Sequence, residues 1–296
     1  VRACVIFNPT ARGDKARRFR RRLGEIGAEC ALKQTGSPED ARRLAAEAVG
    51  EGFELVIAAG GDGTINEVLN GIGDAPGGFE RARLGVLPLG TVNVFARELG
   101  VPLRLDAAWQ TLRQGHETRV DLPRVEFSSG SATARRHFAQ LAGAGLDARA
   151  IELVNWPLKK RIGPLAYVVA GLRALLRRQP PITFSDGDQT ASGELVLVGN
   201  GRLYGGSFAV FPQAAMQDGL LEVCVFPRAN WLTLLRCGPA LLLRKRLPAG
   251  AARCFKAASF TLTGSREVPL EADGEWIGRL PAQFSIQRAA LRVIVP

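Results

Sequence analysis

A doubly wound parallel α/β domain followed by a β-sandwich-like domain is the fold class that this 296-residue sequence predicts. Three observations predict it. Continuous apolar strands alternate with helical segments over the first third, which implies a parallel sheet covered on both faces. Turns bearing glycine or threonine follow those strands, at the sheet end where ligands bind in such folds. Beyond about Asp121 the pattern shortens to brief strands and frequent turns, interrupted by helical stretches at 163–178 and 230–243. The expected domains are therefore 1–123 and 124–296, with the final residues returning to the first.

In chain order, 1–7 reads as a buried strand, Asn8-Pro9 as the start of a turn, and 15–26 as a basic helix. A short strand is expected at 29–35. Ser37 as N-cap, Pro38 at the first helical position and Glu39 and Asp40 in the first turn predict a helix running to about Gly50. Residues 55–59 form another apolar strand, leading through Gly60-Gly61-Asp62-Gly63 into a helix at 64–70. A strand at 84–88 leads through Leu89-Gly90-Thr91 into a helix at 93–99. In the second half, strands are expected at 119–127, 137–143, 194–199, 208–211, 220–226, 255–263 and 283–295.

Hydrophobic residues at 46% and charged residues at 23% are globular proportions. A net charge of +11, from 39 basic against 28 acidic residues, favours nucleotide phosphates, acidic lipid headgroups or nucleic acid as partners. Nucleic acid is not expected, because no RNA-recognition, OB or helix-turn-helix signature appears. Cys4, Cys30, Cys224, Cys237 and Cys254 are dispersed and lack zinc or redox spacing. Cys4 and Cys224 read as small buried hydrophobes, which suits a reducing cytoplasm. The chain opens on a strand, so no signal peptide is expected. The apolar stretch 231–243 is too short, and too interrupted by Arg236, Gly238 and Pro239, to span a bilayer.

The stretch Gly60-Gly61-Asp62-Gly63-Thr64-Ile65-Asn66-Glu67 carries the strongest chemical signal. Glycines allow close backbone approach, and amides at a helix start attract an anion, here a phosphate chain. Asp62 would repel that chain unless a divalent cation lay between, so a magnesium-bound nucleotide is implied. No Walker-type loop occurs. Gly143-Ala144-Gly145-Leu146-Asp147-Ala148 fits a dinucleotide spacing but lacks a βαβ frame and reads as a turn.

These residues bring a family into view. The GGDGT-x-N-E run resembles the signature of the diacylglycerol kinase catalytic-domain family, related to sphingosine kinases and more distantly to NAD kinases. Asn8-Pro9 with Gly13 resembles its first loop, and Leu87-Pro88-Leu89-Gly90-Thr91-x-Asn93 its second. Asn200–Gly206, the segment from Pro212 to Leu221, and Asp273-Gly274-Glu275 resemble its later blocks. The resemblance implies an ATP-dependent kinase of a diacylglycerol-like or sphingoid lipid hydroxyl, acting in phospholipid metabolism. ATP is then expected to touch Thr35, Gly60, Gly61, Asp62, Gly63, Thr64, Ile65, Asn66 and Thr91, with Mg2+ as the ion. Asp62 and Glu275 are the implied catalytic carboxylates, Glu275 as general base. Ala215, Asp218 and Leu220 would form a second metal loop. Val94 departs from the pattern, since many members carry aspartate there.

The residues leave alternatives open: a kinase of a soluble acceptor such as NAD, or a nucleotide- or lipid-binding regulator without turnover. Glu271 and Asp273 are weaker candidates for the base, and His116 and His137 read as ordinary histidines. Lys159-Lys160-Arg161, Arg177-Arg178 and Arg244-Lys245-Arg246 flank two apolar helical stretches. They suggest a cytoplasmic enzyme in peripheral contact with an anionic membrane. A homodimer is also compatible with the sequence.

Overall fold

The computed structural model describes residues 1–11, 13–129, 132–153, 165–176, 179–265 and 267–296. It divides into two compact units. One comprises Val1–Leu122, His137–Ala139 and Gln287–Pro296; the other comprises Pro123–Arg136 and Gln140–Ile286.

The first unit opens with β1 (Ala3–Phe7), α1 (Asp14–Arg21), α2 (Leu23–Glu29), β2 (Ala31–Gln34), α3 (Asp40–Gly50) and β3 (Leu55–Gly60). It continues with α4 (Asp62–Asp74), α5 (Gly78–Arg81), β4 (Arg83–Pro88), α6 (Val94–Glu98) and α7 (Leu105–Gln114). The chain then crosses on β5 (His116–Ser129) and β6 (Ala132–His137). In the second unit follow β7 (Leu141–Gly145), α8 (Leu146–Glu152), α9 (Leu165–Ala174), β8 (Ile182–Ser185), β9 (Thr190–Gly193) and β10 (Leu195–Gly199). Next are β11 (Leu203–Tyr204), β12 (Phe208–Ala209), β13 (Leu221–Phe226), α10 (Trp231–Arg244), β14 (Arg253–Ala257), β15 (Ser259–Gly264) and β16 (Pro269–Ala272). The long β17 (Glu275–Val295) ends the chain.

Strands of the first unit lie in the order β2-β1-β3-β4, all parallel, and the end of β17 joins β4 in parallel at Val293 and Leu84. β1 and β3 are buried almost throughout, as apolar strands covered on both faces must be. The second unit is antiparallel. One run is β14-β13-β10-β7-β16-β17, and another is β9-β8-β15-β17. Phe184 of β8 stacks on Phe255 of β14 at 4.8 Å, so the two runs close an aromatic core. The predicted fold class holds in both halves.

Several element readings need correction. The basic helix breaks at Arg22 into α1 and α2. Ser37 does not cap α3: Asp40 Oδ2 accepts from the Gly36 and Ser37 amides at 2.7 and 3.1 Å, and Glu39 stands at the N-cap with φ 67°. The acid reaches back to the amides, and the helix begins two residues later than serine capping would place it. Among the described residues the second unit holds a third helix, α8. The Gly143–Ala148 stretch is thus a strand-to-helix junction rather than a simple turn, with Gly145 at φ 93°. Cys224 is buried but not a lone hydrophobe, for it forms a disulfide with Cys254. Their pairing follows from register, since the two face each other across β13 and β14. Cys4, in contrast, is a buried free thiol pushed up to about 12 by burial. Among the described residues no helix is long and apolar enough to cross a membrane.

Candidate active site

Parallel pairing brings the carboxyl ends of β1 to β4 to one edge. Phe7 is level with Gln34 and Ala59, and Gly60 with Pro88. Asn8, Thr35, Gly61 and the turn after Pro88 therefore gather there. Thr35 donates its amide to the Phe7 carbonyl at 3.0 Å. The Leu89 and Gly90 amides both reach the Gly60 carbonyl, at 2.9 and 3.2 Å. The two glycine turns touch backbone to backbone: a Cβ on Gly90 would lie 2.5 Å from Gly61 Cα. Asn93, held at φ 54°, braces this contact by donating from Nδ2 to the Gly90 carbonyl at 2.7 Å. Its Oδ1 is buried without a hydrogen-bond partner among the described residues.

α4 starts at Asp62, and no side chain caps it. The first amides of a helix lack intrahelical acceptors and sit at its positive end, which makes this edge suited to phosphate oxygens. Gly60, Gly61, Asp62, Gly63 and Thr64 are half-buried and Thr91 is exposed. The motif then changes role. Ile65 and Asn66 are buried, and Asn66 Nδ2 donates to the His137 carbonyl at 3.1 Å. Asn70 holds the backbone of the same residue at both its polar groups, giving Nδ2 to the His137 carbonyl and taking the His137 amide, each at 2.9 Å. Glu67 Oε2 accepts from the Ala41 amide at 3.1 Å and so ties α4 to α3. Half of the signature thus faces the edge and half secures the fold behind it.

Asp62 Oδ1 lies 3.3 Å from the Phe95 amide at the start of α6. Hard magnesium takes carboxylate oxygen, so Asp62 fits a nucleotide-bound ion, whereas buried, apolar Val94 adds no ligand. Lys15 and Arg97 also belong to this unit and sense each other. Burial, with the Arg97 guanidinium adding to it, pushes the Lys15 ammonium below its ordinary value. Sequence reasoning assigned neither cation a role of its own, since each is one among 39 basic residues.

In the second unit, β16 and β17 are joined by Asp273-Gly274, at φ 48° and 82°. Two positive φ values suit an Asp-Gly hairpin. Asp273 Oδ1 accepts from the Gln140 and Leu141 amides at 2.9 and 3.1 Å, and its own amide reaches the Leu141 carbonyl. Glu271 Oε2 takes the Gly274 amide at 2.9 Å. The next residue, Glu275, is held by Arg136 Nη2 at 2.8 Å with 37% of its side chain exposed. Glu271 is fully buried opposite Gly143. Burial, and then the neighbouring charge of Asp147, push its carboxyl well above the ordinary range. Burial likewise raises Asp147, against the hydrogen bond it accepts from Tyr204 at 2.6 Å. Glu271 and Asp273 are thus occupied in fixing the turn, while Glu275 is the accessible carboxylate that it projects.

The loop at Ala215, Asp218 and Leu220 does not fit a metal ion as arranged. Asp218 Oδ2 is paired with Lys256 at 2.8 Å, its Oδ1 accepts from the Leu220 amide, and its own amide is given to the Ala215 carbonyl. A lysine ammonium already balances the carboxylate. Among the described residues, the one cluster with ligand spacing is Glu222, Cys224 and Cys254, and there the two sulfurs are bonded to each other. His116 is exposed and His137 packs edge-on against Phe79. Lys159, Lys160, Arg161, Arg177 and Arg178 lie outside the described residues.

Residues 2–125 match the diacylglycerol kinase catalytic domain, and 140–295 match the YegS C-terminal NAD kinase beta sandwich-like domain. A diacylglycerol kinase of Staphylococcus saprophyticus is 30% identical over all of this chain and 95% of its own length; that of Staphylococcus carnosus is 31% identical with the same coverage. The chain belongs to the diacylglycerol kinase family. A crystal structure from Bacillus anthracis str. Sterne, provisionally named a diacylglycerol kinase, shares the fold with TM-score 0.78 and 25% identity, over all of this chain and 97% of that one. Yeast NADH kinase shares the fold alone, with TM-score 0.58 and 9% identity over all of this chain and 84% of its own. Arg136, which holds Glu275, is the neighbour that sequence reasoning missed. Arg136 lies 139 residues from Glu275, and no local motif links them.

Proposed function

We propose that this family member is an ATP-dependent lipid kinase that transfers the γ-phosphoryl group to a hydroxyl of a diacylglycerol-like or sphingoid lipid. The observation that carries the reading is the uncapped start of α4, pressed against the Gly90 turn at the edge of a parallel sheet. The relatives named diacylglycerol kinase support the lipid class of acceptor.

In the proposed reaction, amides of Gly61, Gly63 and Thr64 hold the triphosphate, with Thr35 and Thr91 at its margins. Asp62 would hold the magnesium ion, which supplies neutralisation of charge on the phosphate oxygens. The lipid hydroxyl oxygen bonds to the γ-phosphorus as the bond to the bridging oxygen of ADP breaks. The hydroxyl proton passes to Glu275, whose carboxylate Arg136 orients. A carboxylate is a weak base for an alcohol, so this transfer comes late, through a loose transition state.

Radiolabelled ATP offered with diacylglycerol, sphingosine or NAD tests the reading. Label in a chloroform-soluble product is expected. Label found only on NAD would instead make the protein a soluble-acceptor kinase, and label on none would leave a nucleotide-binding regulator.

A further inference from the structure

α10 is amphipathic in the wrong sense for a soluble helix. Its inward side contributes one buried residue, Cys237, with Leu241 packed on the same cluster. Its outward side is apolar. At 100° per residue, Trp231, Leu242, Leu235, Pro239, Leu232 and Leu243 follow one another within about 120° of arc. Leu232, Leu235, Leu242 and Leu243 are 75, 67, 72 and 84% exposed. An exposed stripe of this kind marks a surface awaiting something apolar.

Charge narrows what that is. From Val223 to Arg266 the chain carries eight lysines and arginines and no aspartate or glutamate. Among the described residues of this stretch, Arg228 is neutralised from elsewhere by Glu194 and Lys256 by Asp218. Arg236 borders the stripe, and Arg244, Lys245 and Arg246 follow at the helix end, all exposed. Pairing α10 with a second copy would place these cations against one another with no local acid between them. An anionic bilayer offers the reverse: apolar depth for the leucines, an interfacial level for Trp231, and phosphates for the four cations. Pro239 leaves the Leu235 carbonyl without its helical donor, which a shallow, hydrated position tolerates and a spanning one does not.

We propose that α10 is a membrane-docking helix, its outward apolar stripe lying in the interfacial layer of a bilayer and its flanking cations on anionic headgroups. The proposal deepens the lipid-kinase reading by naming the element that brings the enzyme to its substrate.

The test uses the full chain without ATP, so that it stands apart from catalysis. Flotation with vesicles of phosphatidylcholine alone is compared with vesicles containing about one third phosphatidylglycerol. Binding to the anionic vesicles is expected, weakened by salt. The double variant Leu235→Gln/Leu242→Gln should lose at least about tenfold in vesicle affinity, and Arg244→Glu/Arg246→Glu should lose the preference for phosphatidylglycerol. Both should keep the wild-type Tm and turnover of a water-soluble short-chain diacylglycerol. Unchanged vesicle binding by the leucine variant overturns the proposal. So does light scattering that shows a dimer which the leucine variant dissociates, since a second copy would then cover the stripe. Failure of short-chain turnover in the wild type would count against the kinase reading and leave the vesicle result standing.

Discussion

Two Asp-Gly pairs in this chain reach opposite ends. Asp62-Gly63 opens a 13-residue helix that no side chain caps, at the edge of a parallel sheet. Asp273-Gly274 closes a hairpin, and its aspartate already accepts two amides. The dipeptide is the same; the flanking topology decides its work. Where a strand leads into a helix, backbone donors face outward and suit a ligand. Where a strand turns back on another, the same residues hold the turn and present whatever follows, here Glu275. A third pair, Asp218-Gly219, is settled by Lys256.

The sharpest way to break this contrast is at the presented residue. Glu275→Ala should lower lipid phosphorylation by about 10²–10⁴-fold while ATP affinity stays within about twofold of wild type. Steady-state kinetics paired with nucleotide titration read both. Wild-type turnover would remove Glu275 from the chemistry.

Asp62→Ala comes next. It should cost at least about tenfold in magnesium-supported turnover and flatten the dependence of rate on magnesium concentration. An unchanged magnesium profile would detach Asp62 from the ion.

Gly90→Ala probes the contact behind the loop without touching a reactive group. Its Cβ would meet Gly61 backbone, which cannot move aside as a side chain can, so the two turns must separate. ATP affinity should fall about tenfold and stability by about 1–3 kcal/mol. Thermal melts and titration in parallel check both numbers.

The smallest effect belongs to the hairpin. Glu271 is raised by burial, so the folded state retains its proton where the unfolded chain has lost it. Its contribution is therefore full below about pH 4.3 and declines as pH rises towards its elevated folded value. Glu271→Gln keeps an acceptor for the Gly274 amide and cannot ionise. The variant should lose about 2–5 °C less in Tm than wild type between about pH 5 and pH 9. Parallel pH dependence in the two proteins would mean that Glu271 does not titrate in this range.

What could be read from the chain was local. The alternation of apolar strands with turns at their carboxyl ends, and the Asp-Gly hairpin before Glu275, are short-range patterns. What stayed hidden depends on register and distance. Cys224 meets Cys254 only because β13 and β14 pair in one alignment. Arg136 reaches Glu275 from another strand, and Asn66 turns inward to the His137 peptide 71 residues away. The start of α3 lies past Ser37 because Asp40 wins the contest for it, reaching back to the Gly36 and Ser37 amides and leaving Glu39 at the N-cap. Such contests are decided by geometry that spacing does not encode.

Titration calorimetry of the full chain with ATP and magnesium tests most directly whether the Gly61–Thr64 amides grip a triphosphate. A saturable one-to-one heat is predicted, weakened in Gly90→Ala and preserved in Glu275→Ala. Absence of heat in the wild type, or binding that Gly90→Ala leaves untouched, would contradict it.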